Sequence, residues 1–258
     1  MQQQPFTWKT IPTRQFKEII STLEDAKNKS KTAMIIAPTG LGKTYAVETY
    51  CGKNSAHTYR IVVSDLYRKE DIINELSLLL GLDQPGVSNN FKRRNVKDRL
   101  DAIAAELIRL KKAGHLPQVI FDEGENMKIT PLKMIKALYD AIKDRCSLVL
   151  IGTDQLLNNM YINKGKRNRN SLPQLYSRFK AGLKHITPLD KNNDFEPFFK
   201  LYGVPAGLQT LLKNLSDSYR DFNDYLEPTI IEAKEAGKPL TEEFFRIKFN
   251  LSKGTKAA

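Results

Sequence analysis

Apolar residues follow two rhythms along this chain, and the change from one to the other divides it. Over 14–28, Phe16, Ile19, Ile20 and Leu23 recur at helical spacing behind Thr13, a residue suited to cap a helix. Helical spacing returns over 44–50, 71–80, 96–112 and 131–143, with Gly52, Gly81 and Gly114 closing the first three of these. Between them stand short apolar or β-branched runs at 33–37, 59–63, 118–121, 147–151 and 183–187, which predict strands. The runs 118–121 and 147–151 are nearly all apolar, as strands buried on both faces require. Residues 83–90 read as a loop. Strands alternating with helices predict an α/β fold with a five-stranded, mainly parallel sheet flanked by helices. Beyond Pro188 the strand signals stop, and helical patterns at 194–201, 206–215, 219–236 and 241–249 predict a small C-terminal all-helical lid. The expected organisation is an α/β domain over 1–188 with a helical lead, a lid over 189–251, and a disordered tail over 252–258.

Chemistry enters where the strand at 33–37 hands over to a helix. The segment Ala37-Pro38-Thr39-Gly40-Leu41-Gly42-Lys43-Thr44, followed by Tyr45, reads as G-x-x-x-x-G-K-[ST] with alanine in the first place. That place turns the chain and need not touch ligand, so alanine is tolerable there. Gly40 and Gly42 let successive N–H groups face one concavity, and the helix N-terminus adds the positive end of its dipole. Such a concavity binds phosphate. Lys43 is expected to reach the β and γ phosphates of ATP, and the Thr44 hydroxyl to take a position on Mg²⁺.

Ligands of open parallel sheets lie at the carboxyl ends of the strands. Asp122 and Glu123 end the strand at 118–121, the first suited to hold Mg²⁺ and the second to orient and deprotonate the attacking water. An acidic turn is the plainer alternative, which the upstream phosphate loop disfavours. Thr153, in Gly152-Thr153-Asp154, ends the next strand and can bond the water or the γ phosphate, unless Asp154 merely caps a helix. Arg178, just before the last strand, is the candidate arginine finger for a neighbouring subunit's ATP, against the alternative of an ordinary surface arginine.

Charge adds a partner. Lys and Arg number 41 against 29 Asp and Glu, a net +12 that favours a polyanion. Three basic clusters are candidate DNA contacts: Arg68 and Lys69; Lys92, Arg93, Arg94 and Lys97; and Lys164, Lys166, Arg167 and Arg169. A solvated surface is the alternative for each. None supplies a base-reading helix, so binding to double-stranded DNA is expected to be largely sequence-independent. Two cysteines cannot build a disulfide framework, and no Cys/His cluster has metal-ligand spacing. No signal peptide or membrane span is read, so a cytoplasmic, DNA-associated protein with no membrane partner is expected. Trp8 and the phenylalanines at 195, 198 and 199 read as packing residues, and the three histidines as structural.

In this order, the phosphate loop, Val119-Ile120-Phe121-Asp122-Glu123, Leu148-Val149-Leu150-Ile151-Gly152-Thr153-Asp154 and Leu175-Tyr176-Ser177-Arg178-Phe179 resemble an AAA+ ATPase. Within that superfamily the chain resembles the DNA-transposition ATPases of phage Mu and Tn7-like elements. The resemblance implies Thr153 as first sensor, Arg178 as the finger, and Arg220, within Ser218-Tyr219-Arg220-Asp221-Phe222, as the lid's nucleotide contact. It implies an ATPase that assembles with itself as a filament or ring on DNA, marks target sites and activates a transposase, with hydrolysis driving disassembly. A replication initiator or helicase loader, and a nucleotide-gated interaction switch without DNA binding, are the rival readings. The phage Mu protein is thought of as carrying an extra amino-terminal DNA-binding domain, for which too few residues precede the first helix here.

Overall fold

β-Branched and apolar runs flanked by turn residues form the strands, and amphipathic stretches form the helices that cover them. The computed structural model describes residues 6–83, 94–161 and 172–252. In chain order the elements are α1 (Arg14–Asn28), β1 (Thr32–Ile36), α2 (Lys43–Lys53), β2 (Thr58–Val62), α3 (Lys69–Leu79), α4 (Val96–Lys112), β3 (Gln118–Asp122), α5 (Ile129–Ile142) and β4 (Ser147–Gly152). They continue with α6 (Asp154–Tyr161), α7 (Pro173–Phe179), β5 (Leu183–His185), α8 (Lys191–Asp194), α9 (Glu196–Tyr202), α10 (Ala206–Leu215), α11 (Tyr219–Glu235) and α12 (Glu242–Lys248). The chain divides into two compact units, one of residues 18–38 and 43–186, the other of residues 1–17, 39–42 and 187–258.

The larger unit holds the sheet, all parallel, in the order β2-β3-β4-β1-β5. The interior strands β3 and β4 are buried throughout, which explains their nearly all-apolar sequences. Gln118 is the polar exception, and it is wholly buried because every arm is used. Its amide donates to the Leu23 carbonyl (3.0 Å) and the Ser147 hydroxyl (3.1 Å), and its oxygen accepts from the Tyr50 hydroxyl (2.8 Å). This network pins α1 and α2 to the amino ends of β3 and β4, opposite the phosphate loop.

The smaller unit packs an aromatic core of Phe195, Phe198, Phe199, Phe222 and Phe245. Trp8 stacks on Tyr202 with ring centroids 4.8 Å apart, so the lead segment belongs to this core. Asp194, nearly buried, accepts from Gln15 (2.8 Å) and Arg14 (3.2 Å). The start of α1 is thereby tied to α8.

Several boundaries differ from the sequence expectation. Gly52 lies inside α2, which runs on to Lys53. The helix expected over 194–201 is α9, which begins two residues later with Pro197 in its first turn, where the missing N–H costs nothing, and a short α8 precedes it. α7 and α8 were not anticipated, and α6 only as the alternative in which Asp154 caps a helix. The tail at 253–258 lies outside the described residues.

Candidate nucleotide-binding site

Strand order assembles the site. β3, β4 and β1 are consecutive in the sheet and parallel, so Asp122 at the end of β3, Thr153 after β4 and the loop after β1 emerge at one edge. Ala37 is anchored there by its N–H on the Gly152 carbonyl (3.0 Å). Gly40 and Gly42 both sit at φ +77°, the left-handed conformation the loop requires. Pro38 and Thr39 are exposed, Leu41 is buried, and Lys43 opens α2. Lys43 is 9% exposed, and its ammonium donates to the carbonyls of Ala37 (2.8 Å) and Pro38 (2.9 Å). Its charge therefore lies against the inside of the loop. Thr44 follows half-buried, and Tyr45 is exposed.

Asp122 is fully buried. Its Oδ1 accepts the Glu123 N–H (3.0 Å), and its Oδ2 accepts from Arg60 Nη2 (2.8 Å). Arg60 stands on β2, where Val62 is the register partner of Asp122, and its other arm reaches Glu48 of α2 (3.2 Å). Burial by itself would push the Arg60 guanidinium down, but its bonds to Asp122 and Glu48 more than offset this and hold it above the ordinary arginine value. The sequence reading missed Arg60. Its signal was a charged residue in the interior of an otherwise apolar and aromatic strand.

Glu123 takes a left-handed backbone at φ +55°, which an L-residue adopts only under constraint. Asn126 supplies part of that constraint, donating to the Val63 carbonyl (2.8 Å) and the Glu123 carboxylate (3.4 Å). Thr153 is half-buried, and its N–H donates to Glu125 Oε2 (3.3 Å). The same carboxylate lies so near Gly152 that a Cβ there would meet it at 2.6 Å. A larger residue at the end of β4 would therefore displace the Glu125 carboxylate from its present place.

These residues suit a magnesium–nucleotide. The oxygens available, a threonine hydroxyl and a carboxylate, are hard donors of the kind Mg²⁺ prefers. Among the described residues no group of three or more His, Cys, Asp or Glu could hold a metal.

Arg178 is not part of this edge. Its carbonyl accepts from Thr32 Oγ1 (3.2 Å) at the amino end of β1, and its guanidinium grips both oxygens of Asp140 (2.7 and 3.1 Å). In the smaller unit, Arg220 is exposed, and its N–H donates to the Gly40 carbonyl (3.3 Å). Ser218 caps α11 through Asp221 N–H (3.1 Å) and lies against Gly40.

The candidate DNA contacts separate. Arg68 is exposed in the loop after β2 beside Leu66, which is 85% exposed, while Lys69 pairs with Glu70 (3.6 Å). Arg94 and Lys97 are exposed at the start of α4, which Asn95 caps by accepting Asp98 N–H (2.9 Å). Lys92, Arg93, Lys164, Lys166, Arg167 and Arg169 lie outside the described residues.

The AAA domain family profile matches residues 27–160, from the end of α1 through α6. Among solved structures, the Walker-type ATPase of Pyrococcus abyssi is similar over 91% of this chain and 70% of its own, at TM-score 0.61 and 18% identity. The replication initiator DnaA bound to AMPPCP and single-stranded DNA is similar over 94% of this chain and 67% of its own, at TM-score 0.55 and 13% identity. At such identities the likeness is one of fold. No curated protein matches the sequence.

Proposed function

The chain belongs to the AAA domain family, and from that premise we propose that it binds and hydrolyses ATP at the loop after β1 and uses the nucleotide to control self-assembly on DNA. One observation carries the proposal: the loop that leads to Lys43, Asp122 with Glu123, and Thr153 stand at the carboxyl ends of β1, β3 and β4, three neighbouring parallel strands. Lys43 exchanges the Ala37 and Pro38 carbonyls for phosphate oxygens, and loop N–H groups join it. Thr44 and Asp122 would hold magnesium, which would neutralise phosphate charge. Glu123 accepts the proton of the attacking water, and Thr153 orients that water. Arg178 acts on the ATP of an adjacent subunit, once it leaves Asp140. Arg220 brings the α11 contact with the loop under nucleotide control.

Arg68, Lys69, Arg94 and Lys97, with the net charge of +12, support a DNA backbone partner. Within that reading, resemblance to the DNA-transposition ATPases favours a target selector that activates a transposase. The likeness in fold to a replication initiator keeps an initiator or loader role as the second reading. Fluorescence anisotropy on labelled duplex DNA tests the coupling. ATP should tighten binding by the natural chain and not by Lys43→Ala; ATP-stimulated binding that survives the substitution would refute it. Duplex against single-stranded probes, together with pull-down of a co-encoded transposase, separates the two roles.

A further inference from the structure

Arg60 has no part in the chemistry just described, yet it is bonded to the carboxylate that chemistry uses. Both Asp122 oxygens are engaged, one by a backbone N–H and one by Arg60 Nη2 at 2.8 Å, and the carboxylate is wholly shielded from solvent. The guanidinium is itself largely buried, and its Nε, also buried, has no hydrogen-bond partner. A charge so placed is costly to hold unless its neighbours compensate it. Asp122 and Glu48 do so, the latter from the exposed side of α2. One cation thus divides itself between a buried carboxylate at the sheet edge and an exposed one on the adjoining helix.

We propose that Arg60 is a resident counter-ion of Asp122 that sets how strongly the site takes a divalent cation, with Glu48 as the alternative anchor that draws the guanidinium off. The inference rests on the nucleotide-binding reading above. An ionised carboxylate has about four lone-pair positions, so Arg60 leaves room for a metal or its water but opposes its charge. Loading the cation should then shift the guanidinium toward Glu48. Arg60 is on this view a positioning residue, acting only through Asp122. Its two partners carry opposite consequences. Removing Arg60 should strengthen the hold on magnesium, and removing the Glu48 charge should weaken it by leaving Arg60 wholly to Asp122.

The test is a magnesium titration of fluorescent-ATP binding by the full chain, with the half-saturating magnesium concentration as the readout. Arg60→Met should lower that concentration at least about tenfold, the effect of a unit charge about 5 Å from a divalent ion even at the dielectric of bulk water. Arg60→Lys, which keeps the charge, should stay near the natural value, and Glu48→Gln should raise it severalfold. A role confined to stability would move none of these midpoints among folded variants. Arg60→Met within twofold of the natural chain, or shifted upward, overturns the inference. Should that variant fail to fold, Glu48→Gln decides, since Glu48 is exposed, and an unchanged midpoint overturns the inference equally. A natural chain that binds no nucleotide with or without magnesium overturns the nucleotide reading itself; one that binds while the variants titrate alike overturns only the role of Arg60.

Discussion

Alanine at Gly40 and alanine at Gly42 should have different costs, although both positions share φ +77°. The left-handed backbone costs an L-residue about 1–2 kcal/mol at either place. Around Gly42 no described atom lies within 4 Å of an added Cβ, so that strain is the whole effect. At Gly40 the new Cβ would stand 2.5 Å from both Cβ and Oγ of Ser218. Carbon atoms at rest keep roughly 3.5–4.0 Å, so Ser218 or the loop must move, and such overpacking adds about 1–3 kcal/mol. Ser218 cannot move freely, because its hydroxyl caps α11. Gly40→Ala should therefore cost about 2–5 kcal/mol against about 1–2 for Gly42→Ala. Urea unfolding followed by fluorescence measures this, since the single tryptophan, Trp8, sits in the unit that contains Gly40 and Ser218. Replacing Ser218 by glycine removes both clashing atoms at only a few tenths of a kcal/mol for the cap. The double variant Gly40→Ala/Ser218→Gly should thus regain most of the difference. Equal losses at the two glycines, or no recovery in the double variant, would refute the reasoning.

Other outcomes follow from the same geometry. Glu123→Gln should keep nucleotide binding and lower hydrolysis by roughly 10²–10⁴, the usual worth of a general base, as a phosphate-release assay would register. Gln118→Ala leaves the Tyr50 hydroxyl only the longer bond to the Leu23 carbonyl (3.4 Å) and opens a buried gap; a loss of about 2–4 kcal/mol is expected in thermal unfolding. Arg178→Ala should cut DNA-stimulated turnover by up to about 10³ while leaving single-site nucleotide affinity unchanged, checked by comparing kcat with equilibrium binding. Burial pushes the Cys146 thiol up from 9.0 to about 11, so the folded state favours its protonated form. Stability from this group is then full below pH 9.0 and falls as pH rises toward about 11, a loss that Cys146→Ala should abolish in pH-dependent denaturation.

How far the sequence could be read depended on the range of the interaction. β3, β4 and the phosphate loop were legible because each is local: a run of apolar residues, or glycines at fixed offsets beside a lysine. α4 and α10 could be read to their end residues because long amphipathic stretches carry their own period. α7 could not, since its seven residues follow Leu172, which offers no capping side chain, whereas the equally short α12 has Thr241 to mark its start. The site divides in the same way. Lys43 and Asp122 announced themselves by motif, whereas the Arg60–Asp122 pair joins residues 62 apart and exists only through the register of β2 on β3. Likewise the bidentate hold of Asp140 on Arg178 needs α5 and α7 side by side, which no spacing encodes.

The sheet order also constrains when this protein becomes competent during its synthesis. β1, which leads into the phosphate loop, hydrogen-bonds to β4 and β5 alone, and its first residue Thr32 pairs with Leu148. A nascent chain emerging from the ribosome therefore carries a finished lysine motif on a strand with no neighbour until more than a hundred further residues have appeared. Ribosome-held fragments ending before β4 should be silent to ATP, and competence should arrive in a single step once Gly152 clears the exit tunnel.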